Sequence, residues 1–191
     1  MAADPFEVVG VVTGVLGVWL TTRQNIWCWP AGIASVVSFI VVFYDARLYG
    51  AMALQGVYVG LLAYGWHAWL RGGEGQEPLR VSRLPRSMAI GLVALGAAAA
   101  WAAGYWLRTR TDHAMPYLDG FATSFSLAAQ WMQARKFLEN WVLWVAVDVV
   151  YVGMGLSQGL TLTAGLYGIY VGLALLGFRD WRRSMTTGGR P

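Results

Sequence analysis

The sequence predicts an all-helical integral membrane protein of seven transmembrane helices, with two parallel three-helix repeats joined by a connector helix. Three observations carry this. Of 191 residues, 57% are hydrophobic and only 13% charged, whereas an average soluble domain carries about a quarter charged residues. The apolar residues gather into seven runs, each close to the roughly 20 residues that cross a bilayer as a helix. The chain also matches itself when slid by 112 positions.

The runs cover residues 6–22, 27–44, 50–70, 87–107, 116–132, 140–156 and 160–178. The first begins beside Asp4 and Glu7 rather than a positive region and is followed by Arg23, so it reads as a retained helix and not a signal peptide. Pro30 and Pro116 lie near helix starts, where a missing N–H costs nothing. Residues 71–86, rich in Gly and charge, read as a flexible cytoplasmic linker before the connector helix at 87–107. Repeat 1 then occupies residues 1–70 and repeat 2 residues 108–183, with a cytoplasmic tail at 184–191.

Seven crossings sort the basic residues. One side receives Arg23, Arg71, Arg80, Arg83, Arg86, Arg135, Lys136, Arg179, Arg182, Arg183 and Arg190, which is 11 of 14, and the other Arg47, Arg108 and Arg110. The positive-inside bias makes the richer side cytoplasmic, placing the N-terminus outside and the C-terminus inside. The net charge of +4 is thus a topology signal and points to no nucleic acid. Cys28 is the single cysteine and His67 and His113 the only histidines, so no disulfide, zinc or iron–sulfur site is expected, and no cofactor.

The repeat is clearest where residues 56–71 fall on 168–183 with 8 identities in 16, Gly65/Gly177, Trp69/Trp181 and Arg71/Arg183 among them. A shorter match pairs Asn25 and Trp29 with Asn140 and Trp144 at an offset of 115. Three helices plus one connector return the second triplet in the orientation of the first, a parallel-repeat arrangement used by transporters. Gly56/Gly60, Gly168/Gly172 and Gly10/Gly14 form GxxxG pairs expected to pack helices closely. Trp69, Trp101, Trp106 and Trp181 are expected as interfacial anchors.

Polar groups inside spans are costly and point to ligand or water. Asp119, Thr123, Ser126 and Gln130 step by 4, 3 and 4 along one helix face, which Gln133 extends. On the next helix Trp141, Trp144, Asp148 and Tyr151 step by 3, 4 and 3. Two indoles with a carboxylate one turn on suit a flat, especially cationic, ring bearing hydroxyls. Gln55 and Tyr58, and Tyr167 and Tyr170, divide evenly between lining and packing. No Arg or Lys lies within a span, which disfavours a phosphorylated cargo. The chain has no Walker loop, no His-Glu-x-x-His, no Gly-x-Ser-x-Gly and no buried lysine for a Schiff base, so ATP hydrolysis, two hydrolase classes and retinal attachment are excluded, and no enzyme is expected.

The runs Asn25-Ile26-Trp27-Cys28-Trp29-Pro30, Phe43-Tyr44-Asp45-Ala46-Arg47-Leu48-Tyr49 and Tyr64-Gly65-Trp66-His67-Ala68-Trp69, with Gln130, Arg135-Lys136, Glu139-Asn140-Trp141, Trp144, Asp148 and Tyr151, resemble the PnuC family of bacterial vitamin transporters from about residue 6 to 181. The resemblance implies a 3+1+3 fold similar to the SWEET transporters, a homotrimer in the inner membrane, and import of nicotinamide riboside by facilitated diffusion. It also implies ring contacts from Trp141 and Trp144 and hydrogen bonds from Asn140, Gln130, Gln55 and Asp148. Tyr151, Thr123, Ser126 and Trp29 complete the expected site. Thiamine or riboflavin is the alternative cargo, and a non-transporting receptor or assembly subunit the alternative class.

Overall fold

The computed structural model describes residues 4–72 and 79–187. Seven helices follow one another: α1 (Pro5–Thr22), α2 (Cys28–Asp45), α3 (Tyr49–Arg71), α4 (Arg86–Arg110), α5 (Pro116–Ala134), α6 (Asn140–Ser157) and α7 (Thr161–Thr187). The expected runs fall within a few residues of these bounds except at the end of α7, which continues nine residues beyond position 178. Asp4 caps α1 by accepting the Phe6 N–H at 2.8 Å, and Pro5 and Pro116 sit in the first turns of α1 and α5, as the missing N–H allows.

Among the described residues five helices, α1, α2, α4, α6 and α7, are long and apolar enough to cross a membrane, two fewer than the seven the sequence predicts. The two outside that set are explained by their side chains. On α5, Ser126, Gln130 and Gln133 are buried, and the helix packs against both α4 and α6. A helix shielded by protein on two sides need not be apolar all round. The α3 helix carries Gln55, His67 and four glycines.

The chain divides into two compact units, Met1–Arg80 and Val81–Pro191. In the first, α2 packs against α1 and α3. The α1–α2 contact is a glycine contact: a Cβ added to Gly17 would meet the Gly32 backbone nitrogen at 3.3 Å. Ser35 ties the pair further, donating its hydroxyl to the Gly10 carbonyl at 2.7 Å.

In the second unit α4 packs against α5, α5 against α6, and α6 against α7. The helix expected as a connector is therefore a packed member of this unit. Its contact with α5 is close because Gly96 faces Phe125, Gly104 faces Tyr117, and Gly120 faces the Ala100 carbonyl. The core gathers around Ala100, Ala122, Phe125 and Val147.

Part of the expected linker is held in place. Ser82 forms a parallel bridge to Phe137, donating its N–H to the Lys136 carbonyl at 3.1 Å and accepting the Leu138 N–H at 2.9 Å. Glu139 completes the strap with one carboxylate oxygen on the Leu84 N–H at 2.9 Å and the other on Arg83 Nη1 at 3.2 Å. Residues 73–78 of that linker, and 188–191 of the expected tail, lie outside the described residues.

The 112-residue repeat is structural, turn by turn. After α1 the Gln24 N–H bonds the Thr21 carbonyl and the Asn25 N–H the Leu20 carbonyl; after α5 the Lys136 N–H bonds Gln133 and the Phe137 N–H bonds Met132. Gln24 and Lys136 both adopt positive φ, 52° and 54°. The turns after α2 and α6 agree as well, the Leu48 N–H reaching the Phe43 carbonyl at 2.8 Å and the Leu160 N–H reaching Gly155 at 2.8 Å. This register overturns the shorter match at 115: Trp29 corresponds to Trp141, not to Trp144.

Candidate functional site

Each copy of the repeat seats a tryptophan on a glycine within its own unit. Trp29 lies on Gly65, its ring T-shaped against Trp69 at 5.2 Å and 88°. Trp141 lies on Gly177, T-shaped against Trp181 at 5.4 Å and 86°. The glycines give the rings a place that a Cβ would occupy. Trp29, Trp141 and Trp181 are all fully buried. Trp29 and Trp141, expected to line a site, pack against a glycine and a second indole, and the indole N–H of each has no hydrogen-bond partner among the described residues; Trp181, expected as an interfacial anchor, is instead fully buried. Trp101 and Trp106, at 64% and 59% exposure, keep the exposure expected of anchors.

The GxxxG expectation also changes. A Cβ added to Gly56, Gly60, Gly168 or Gly172 meets nothing within 4 Å, so these glycines make no close helix contact within the described residues. Gly10 does, facing Phe39.

Around Trp144 the copies diverge. At 112 positions back the chain has Val18 for Gln130, Thr21 for Gln133, Cys28 for Asn140, Gly32 for Trp144 and Val36 for Asp148. Where the first unit closes α1 on α2 through Gly17 and Gly32, the second has Ala129 and a half-buried indole at the same register. The indole N–H of Trp144 donates to Gln133 Oε1 at 3.1 Å.

Two buried amides, one helical turn from the bonded pair on α5 and on α6, keep unmet capacity. Gln130 Nε2 and Asn140 Oδ1 have no hydrogen-bond partner among the described residues, although Asn140 donates its Nδ2 to the Phe137 carbonyl at 2.6 Å. A buried polar atom without a partner costs about 1–3 kcal/mol, so a donor and an acceptor left open on adjoining helices mark a place where ligand or water makes up the deficit. Asp148 is buried and makes no ion pair among the described residues. Tyr151 stacks on Tyr167 at 4.5 Å and 21°, and Tyr167 meets Tyr170 at 6.0 Å, forming an aromatic wall between α6 and α7.

The α5 stripe is divided by its surroundings. Ser126 donates back to the Thr123 carbonyl at 2.9 Å, within its own helix. Asp119 lies 3.5 Å from His113 Nε2, and His113 Nδ1 accepts the Met115 N–H at 3.2 Å, so this carboxylate is engaged by the α4–α5 loop. Eleven residues of helix, about 16 Å of rise, separate it from Gln130. Gln55 and Trp29 belong to the first unit. The sequence reading left Tyr167 and Tyr170 undecided and treated Gln133 as a mere extension of the stripe. The missing signal was the comparison of each position with its partner 112 residues away.

Known proteins share this architecture. Residues 4–183 match the model of a family described as nicotinamide mononucleotide transporter. The riboflavin/roseoflavin transporter RibM of Streptomyces davaonensis is 28% identical over 97% of this chain and 88% of its own. The nicotinamide riboside transporter PnuC of Escherichia coli is 27% identical over 93% of this chain and 85% of its own. A crystal structure of the vitamin B3 transporter PnuC superposes with a TM-score of 0.74 at 25% identity, covering 95% of this chain and 82% of that one. These relatives are transporters and not enzymes.

Proposed function

The chain belongs to the nicotinamide mononucleotide transporter family, a family of multi-pass membrane proteins, and from that premise we propose that it moves an unphosphorylated aromatic vitamin across the inner membrane, nicotinamide riboside first. The observation that carries the reading is the half-buried Trp144 ring, bonded to Gln133, with open amide atoms on Gln130 and Asn140 one helical turn from that pair. The ring face supplies stacking and cation–π attraction. The open donor and acceptor suit a carboxamide or a ribose, and Asp148 suits hydroxyls or a countercharge. Thr123, Ser126, Tyr151 and Gln55 remain candidates for the path. Neither α5 nor α6 carries an Arg or Lys, which favours the riboside over the mononucleotide of the family's description.

Transport proceeds by facilitated diffusion with alternating access of the two repeats in a SWEET-like 3+1+3 arrangement of seven crossings. The chain sits with its N-terminus outside and C-terminus in the cytoplasm, as the basic residues favour, and assembles as a homotrimer. Riboflavin is the second reading, favoured by the likeness to RibM over nearly the whole chain.

Calorimetry on purified protein with nicotinamide riboside, its mononucleotide, thiamine and riboflavin tests the site. The riboside is expected to bind, the mononucleotide not, and Trp144→Ala to weaken binding about 30-fold, the loss of one hot-spot aromatic. Preference for riboflavin keeps the site and moves the substrate. No binding to folded protein overturns the reading in favour of a non-transporting subunit. In liposomes, accumulation driven by a pH or sodium gradient would remove facilitated diffusion.

A further inference from the structure

We propose that Gln133 is a positioning residue for substrate recognition: by accepting the indole N–H of Trp144 at 3.1 Å, it fixes the plane on which the substrate ring stacks. The inference rests on Trp144 being the stacking residue.

An indole N–H can only donate, so the amide atom facing it is the oxygen, and the bond fixes both partners. Trp144 is half-buried and Gln133 buried. The bond bridges the last turn of α5 and the second turn of α6, and it leaves Trp144 no hydrogen-bonding group of its own to offer a ligand. Recognition by this side chain is then by ring face alone, and the orientation of that face decides which flat molecule fits.

A purely structural role is argued against within the same chain. The turn after α1 has the same hydrogen bonds and the same positive-φ residue as the turn after α5, yet it carries Thr21 and Gly32 where the second copy carries Gln133 and Trp144. The turn forms without the pair. A part-buried side-chain bond present only in the copy with the open amides of Gln130 and Asn140 serves what that copy does differently.

Losing one neutral hydrogen bond corresponds to about a fivefold change in an equilibrium constant. Gln133→Met keeps the volume and removes the acceptor; nicotinamide riboside, or riboflavin if that is the vitamin bound, is titrated into it, into Trp144→Phe and into the double variant. Gln133→Met is expected to raise Kd about fivefold, and Trp144→Phe at least as much, because it removes the same bond and also reduces the stacking ring. The double variant is expected to match Trp144→Phe, in which the bond is already gone. Gln133→Glu, which retains an acceptor oxygen in either protonation state, should restore most of the affinity. Unchanged binding by Gln133→Met, or additive losses in the double variant, would overturn the inference. Should Gln133→Met not fold, Trp144→Phe reads the bond from its other end, and unaltered affinity there overturns the proposal equally. If Trp144→Ala itself leaves binding intact, the site reading fails; if Trp144→Ala loses binding while Gln133→Met is silent, only the positioning role does.

Discussion

Unit 1 and helices α5 to α7 of unit 2 build the same turns and the same tryptophan-on-glycine sockets, yet they differ at nearly every polar position within their helices. Trp29 and Trp141 occupy one register, Gly65 and Gly177 another, and Trp69 and Trp181 a third. Gln130, Asn140, Trp144 and Asp148, by contrast, correspond in the repeat to Val18, Cys28, Gly32 and Val36. What both copies keep answers to folding. What one copy alone has is available for binding, and this criterion separates Trp141 from Trp144 although they lie on adjoining parts of one helix.

The sharpest test of that division is at the sockets. A Cβ on Gly65 would clash with the Trp29 ring at Cη2 and Cζ3, and one on Gly177 with the Trp141 ring at Cε2 and Cζ2. Neither ring can retreat, since each is fully buried against a second indole. Gly65→Ala and Gly177→Ala should each cost about 3 kcal/mol by overpacking, seen as a fall of about 6–12 °C in the Tm of detergent-solubilised protein or as loss of folded yield. Gly168→Ala, where the added methyl meets nothing within 4 Å, should not lower Tm and should raise it by about 1–4 °C through helix propensity alone. Damage from Gly177→Ala without damage from Gly65→Ala would break the equivalence of the copies.

Most of the helical frame was legible because a bilayer-spanning helix writes its length in apolar residues, and six of the seven bounds needed no more. The end of α7 was not legible, because Arg179, Asp180, Arg182 and Arg183 end the apolar run but not the helix, which continues to keep Trp181 on Trp141. Helical spacing put Trp141 and Trp144 on one face. It carries no information on which neighbour each ring meets, and that neighbour, Gly177 for one and Gln133 for the other, decides their roles. Among the described residues the Gly56/Gly60 and Gly168/Gly172 pairs make no close contact for the same reason: small residues permit close approach without compelling it, and the approach occurs at Gly10, Gly17, Gly96, Gly104 and Gly120.

A smaller difference between the copies lies in the strap. Glu139 accepts from the Leu84 N–H and pairs with Arg83, while its counterpart Trp27 is 66% exposed. The ion pair is solvent-exposed and worth little, but the backbone N–H would lose its acceptor. Glu139→Ala should therefore lower stability by about 1 kcal/mol, a Tm shift of about 2–4 °C. Trp27→Ala should stay within about 0.5 kcal/mol. Equal shifts in the two variants would mean that the strap adds nothing to the second copy.

The smallest expected effect sits at a turn where the copies use different residues for one conformation. Arg47, after α2, and Gly159, after α6, both have positive φ, 57° and 73°. A residue with a Cβ pays about 1–2 kcal/mol there, whereas glycine loses more chain entropy on folding, about 0.5–1 kcal/mol. The two terms nearly cancel, so Arg47→Gly should gain about 0.5 kcal/mol and Gly159→Arg lose about as much, the latter through backbone strain alone because a Cβ at Gly159 meets nothing within 4 Å. Opposite-signed Tm shifts of about 1–2 °C would show that the two turns are energetically interchangeable. A large loss at Gly159→Arg, with Arg47→Gly silent, would show that the copies diverge in their turns as well as in their polar residues.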